Sequence, residues 1–225
     1  MEISKVTFRQ HTQNTQPASM LKSNNNFAQV LADYQPAISN KDQVTPSNAE
    51  TYVMNTNQGK QNIVLDDYLT PGPQSSSVNI NDIPLLLPTA HNIDTLSKYT
   101  QEQFKDLLSQ YNISTPPKTI EFDTEGQLVL PADYPYTAQL KHALSENPNV
   151  ENALRTTAAL ASHYAGIMEG QPFRDEMSTA RSQADRDRIV EKYSYLFDDD
   201  RPAKQIILTF LGDGNLLLTE KKQTA

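Results

Sequence analysis

Ile120-Glu121-Phe122-Asp123-Thr124-Glu125-Gly126-Gln127-Leu128-Val129-Leu130 and Leu208-Thr209-Phe210-Leu211-Gly212-Asp213-Gly214-Asn215-Leu216-Leu217-Leu218 are two copies of one pattern. Ile120, Phe122, Gly126, Leu128 and Leu130 recur as Leu208, Phe210, Gly214, Leu216 and Leu218, every pair offset by 88 positions. In each copy apolar residues alternate, a polar turn carrying Gly follows, and apolar residues alternate again. Period-two alternation on both sides of a Gly turn predicts a β-hairpin with one buried face. Strands are expected over about 120–123 and 127–130, and again over 206–210 and 215–219. Phe122 and Phe210 should hold equivalent inward positions, with Glu121 and Thr209 facing out. An isolated hairpin is rarely stable, so mutual pairing into one four-stranded sheet is the simplest arrangement.

Between and before the hairpins the apolar period lengthens to that of a helix. Thr89 or Asn92 can cap a helix running to about Asn112, with Ile93, Leu96, Thr100, Phe104, Leu107, Leu108 and Tyr111 as its buried stripe. Pro116-Pro117 stops it. Pro135 opens a second helix, capped by Asp133 or Tyr134, that buries Tyr136, Leu140, Ala143 and Leu144. Asn147-Pro148 starts a third, about 148–169, whose face is Val150, Leu154, Thr157, Ala161, Tyr164 and Met168. A fourth begins at Pro172 with Phe173, Met177 and Ala180 in line. It slips near Ser182 before Ile189, Val190, Tyr193, Leu196 and Phe197. The fold expected is therefore α+β: two similar antiparallel hairpins packed with about four helices over 82–220, with 221–225 as a polar fray.

Residues 1–81 read differently. They hold 35 Asn, Gln, Ser and Thr residues against 11 charged ones. Such a stretch has little apolar surface to offset about 1–2 kcal/mol of backbone entropy per ordered residue. It is expected to be a largely disordered tail and linker, closed by Pro71-Gly72-Pro73. Two apolar islands interrupt it. Phe27, Val30, Leu31 and Tyr34 have helical spacing, and Ile63-Val64-Leu65 reads as a short strand or docking segment. The first island is a candidate recognition segment that orders on a partner.

The charge balance bears on function. The chain's formal net charge is −8, and no Lys/Arg cluster is free of interleaved acids. Nucleic acid and anionic membrane surfaces are thus disfavoured as partners. The absence of cysteine removes disulfides, thiolate metal sites and Cys nucleophiles. The N-terminal Met1-Glu2-Ile3-Ser4-Lys5-Val6 has neither a basic start nor an apolar run. A cytoplasmic location is expected, with export without a cleaved signal peptide as the alternative.

No chemical motif survives testing. Glu121-Phe122-Asp123-Thr124-Glu125-Gly126 imitates the first half of a calcium loop, but opens on Glu and has Ala132 where a bidentate Glu belongs. Gly212-Asp213-Gly214 lacks the third Gly and the helix of a dinucleotide fingerprint. Neither a metal nor a cofactor is expected. The four histidines lack metal-site spacing. The reading that fits is a non-enzymatic interaction or effector-type protein with a protein partner, and Tyr134 and Tyr195 are candidate outward-facing contact residues. The alternative is a small hydrolase whose site assembles distant carboxylates with His142 or His163.

Overall fold

A computed structural model describes residues 50–72 and 83–221. The fold is α+β. A first hairpin, β1 (Thr51–Thr56) and β2 (Gly59–Val64), leads into the short helix α1 (Leu65–Leu69). Helix α2 (Ala90–Gln110) precedes the hairpin β3 (Thr119–Phe122) and β4 (Leu128–Val129). Helices α3 (Thr137–Glu146), α4 (Pro148–Glu169), α5 (Gln171–Thr179) and α6 (Gln183–Lys192) follow. A turn of 3-10 helix (Ser194–Phe197) then leads to β5 (Ile206–Phe210) and β6 (Leu216–Glu220).

The two similar hairpins do join. The sheet order is β4-β3-β5-β6, antiparallel throughout. Ile120 pairs directly with Leu208, its own counterpart in the repeat. Equivalent residues facing each other across an antiparallel pair define a local two-fold axis between the copies. The turns match bond for bond. Asp123 N–H donates to the Gln127 carbonyl and Gly126 N–H to that of Asp123. Leu211 N–H and Gly214 N–H make the same two bonds to Asn215 and Leu211. Gly126 and Gly214 sit at φ +75° and +78°, where a side chain is strained.

The two long helices lie under this sheet. The residues expected to form the α2 stripe are buried from Ile93 to Leu108, and those of α4 from Val150 to Tyr164. Where they cross, Thr100 Oγ1 and Thr157 Oγ1 hydrogen-bond at 2.9 Å with both residues fully buried. Helix α2 supports the hairpin of the other copy, whereas α4 touches both hairpins. From α2, Phe104 packs on Phe210 with centroids 4.6 Å apart, and Gln101 Oε1 accepts the Leu216 N–H at 2.7 Å. From α4, the Arg155 guanidinium lies 5.5 Å from the Phe122 centroid, and Ser162 Oγ accepts the Ile206 N–H. Phe122 and Phe210 are therefore not equivalent. Phe210 is 5% exposed, whereas Phe122 is only partly buried and capped by a cation.

The stretch 50–72 departs from the tail reading. It folds as β1, β2 and α1 and supplies Met54, Ile63, Leu65 and Leu69 to the core. Tyr52, Met54 and Ile63 share the inner face, while Thr51, Asn55, Lys60 and Asn62 lie on the outer one, so a composition averaged over 1–81 hides a one-sided hairpin. Asn92, fully buried in the first turn of α2, fastens it: its Nδ2 donates to the Asn55 and Leu87 carbonyls and its Oδ1 accepts from Asn55 N. The island Phe27, Val30, Leu31 and Tyr34 lies outside the described residues.

Candidate interaction surface

The two helix–hairpin copies differ most in their connections. The link from helix to hairpin spans 111–118 in the first copy and 170–205 in the second. The longer link carries α5, α6 and the 3-10 turn. Their sequence explains why they project. From Arg174 to Arg188 the apolar residues are Met177, Ala180 and Ala184, too few for a buried stripe. Neither α5 nor α6 buries a residue.

The arm holds itself together by local bonds. Ser182 caps α6 by accepting the Asp185 N–H at 3.1 Å, which produces the break expected near Ser182. Glu176 on α5 accepts from Lys192 Nζ at 2.5 Å and from the Tyr193 hydroxyl at 2.7 Å. The Lys192 hydrogen bond first, and the Tyr193 one second, hold the Glu176 carboxyl below its usual range. Both helices are thereby tied at one end. On this tie sits an aromatic cluster. Phe173 meets Tyr193 edge-on at 5.8 Å and Phe197 at 5.3 Å, and Tyr195 lies 6.4 Å from Tyr193. Tyr193 is buried, but Tyr195 is 50% and Phe197 58% exposed. Amphipathic and aromatic side chains left in water at one place form an interface chemistry, since each offers large rigid area at low entropy cost.

The candidate residues thus fare differently. Tyr195 faces solvent within the cluster. Tyr134 is 8% exposed and its hydroxyl donates to the Thr115 carbonyl at 2.8 Å, so it presents no contact surface. Burial raises its pKa to about 12. Its neighbours decide this: the 131–136 turn folds back on the α2–β3 link. Phe197, read as part of a core stripe, is outward, because helical spacing states which residues share a face and not whether anything covers it.

Two concavities lie at the surface, one beside the first hairpin and one on the arm. One, of about 570 Å³, is lined by Asn55, Thr89, His91, Tyr164, Met168 and Gln171 among others. His91 Nε2 stands 2.7 Å from the Val53 carbonyl oxygen. A carbonyl only accepts, so the ring carries a proton on Nε2. The other, between α5 and α6, is lined by Glu176, Arg181, Asp185, Arg188 and Lys192 among others, charges of both signs. His142 and His163 are exposed, and among the described residues neither hydrogen-bonds a carboxylate. Asp123 Oδ1 accepts from the Glu125 and Gln127 N–H groups, so its carboxylate serves the hairpin turn. Among the described residues no group of three or more His, Asp or Glu is placed to hold a metal ion, and no helix is long and apolar enough to cross a membrane.

No protein family, curated protein or solved structure is detectably similar to this chain. Its class is defined by its own geometry: an α+β domain with a twice-used helix–hairpin unit and an arm inserted in the second copy.

Proposed function

We propose that the protein is an interaction protein that binds a protein partner through the arm 171–197. The observation that carries this reading is the exposure of Tyr195 and Phe197 on a cluster the fold does not need. The core is complete without the arm, and the first copy makes its connection without one. Isolated exposed apolar residues are ordinary; two exposed aromatics sharing one cluster on a projecting element are not. The charged rim, with Lys192, Glu176 and Arg188 close by, suits the polar border of a protein contact. The partner would insert apolar side chains against Phe197 and Tyr195.

The test is paired capture and stability. Full-length protein and the double variant Tyr195→Ala/Phe197→Ala are used as bait in extracts of the native cell. A partner retained by the wild type and lost with the variant, at an unchanged melting temperature, is the expected result. Equal capture by both proteins refutes the assignment.

A further inference from the structure

The open edge of the sheet is a second surface, independent of the arm. β4 closes one edge with two residues and is followed by Leu130-Pro131, a short edge of the kind that resists pairing. β6 closes the other with Leu216-Leu217-Leu218-Thr219-Glu220, which has no Pro and no Lys. The register shows which groups point outward. Lys221 N–H donates to the Gln205 carbonyl and Leu211 N–H to that of Asn215, so the odd-numbered residues of β6 bond to β5. The N–H and C=O groups of Leu216, Leu218 and Glu220 face away from it. Gln101 takes the Leu216 N–H. Among the described residues no strand pairs with this edge.

Alongside the edge runs a stripe of α2. Asp94, Ser97, Lys98 and Gln101 line a groove of about 210 Å³ with Leu216–Leu218. Asp94 and Lys98 pair with each other at 2.9 Å and remain largely exposed. Ser97 Oγ is buried, and among the described residues it has no hydrogen-bond partner.

We propose that this edge is a homodimer interface in which β6 of one copy adds antiparallel to β6 of another, joining the two sheets across a two-fold axis. An isologous contact requires a self-complementary surface, and this one is. Reversing α2 against its copy sets Asp94 opposite the partner copy's Lys98, and Lys98 opposite its Asp94. Edge addition supplies main-chain partners for Leu218 and Glu220. The chain already contains a junction of this kind, at Ile120 and Leu208.

Sedimentation velocity on the full chain, from low to high micromolar, tests the proposal. A concentration-dependent dimer is expected. Asp94→Lys and Lys98→Asp should each raise its dissociation constant at least about tenfold, since each places like charges together at two symmetric contacts. An equimolar mixture of the two variants should dimerise as a heterodimer, because every contact is then opposite in sign. Both positions are exposed, and circular dichroism should show both variants folded. A wild type that stays monomeric overturns the proposal, as does a dimer indifferent to either reversal or a mixture that stays monomeric.

Discussion

Removing the ring of Phe210 should unfold the domain far more readily than removing that of Phe122, although the two occupy the same place in the repeat. Phe210 is 5% exposed and lies against Phe104 at 4.6 Å. Its replacement by Ala empties a volume between β5 and α2 that Phe104, itself fully buried, cannot easily fill. The cost should be about 3–5 kcal/mol. Phe122 is half out of the core, and its solvent side is covered by Arg155 at 5.5 Å from the ring centroid. Its replacement forfeits part of the burial and an exposed cation–π contact, about 1.5–2 kcal/mol together. For a chain of this size each kcal/mol moves the melting temperature by about 2–4 °C. The assay is urea denaturation followed by far-UV circular dichroism, with m-values compared so that a change in midpoint reports stability. Equal losses, or a larger loss for Phe122→Ala, would refute the argument that α2 and α4 support the two hairpins unequally.

Gly126→Ala and Gly214→Ala should each cost about 1–2 kcal/mol in thermal melts, because both residues hold positive φ. They should be similar, since the atom a Cβ meets at Gly214 is Lys105 Cε at 2.9 Å, near the end of a flexible, half-buried side chain whose Nζ donates to Asn215. Thr100→Val or Thr157→Val alone should cost about 1–3 kcal/mol by orphaning the other hydroxyl, while the double variant should recover most of that in a double-mutant cycle. Stability should fall as pH rises above about 10, where tyrosines of the unfolded chain ionise. Burial, then hydrogen bonding, raises Tyr52 to about 12 and pushes Tyr99 up as well, its hydroxyl donating to Asp66. These groups stay neutral in the fold, so their contribution is full below the unfolded pKa and lost as pH climbs through the folded ones. Alkaline melts of Tyr99→Phe should show a shallower decline. A chain beginning at Asp82 lacks Met54, Ile63, Leu65 and Leu69 and leaves Asn92 without Asn55, so it should melt well below the full protein or fail to fold.

Local physics wrote much of this fold into the sequence. The alternation around Gly126 and Gly214 set both hairpins and their turns, because strand period and positive φ are properties of a few neighbouring residues. Pro148 opens α4 and Ser182 caps α6, and the stripes of α2 and α4 followed from periodicity. What needed the tertiary structure were the questions of partnership. Residues 51–64 share their composition with a polar tail, and only packing against α2 shows that Met54 and Ile63 are one face of a hairpin. Phe122 and Phe210 carry the same local pattern, yet one meets Arg155 and the other Phe104. Phe197 has the spacing of a core residue, but among the described residues no element covers it. Periodicity determines which side chains point together; burial depends on whether a distant segment arrives to meet them, and that is a property of the whole chain.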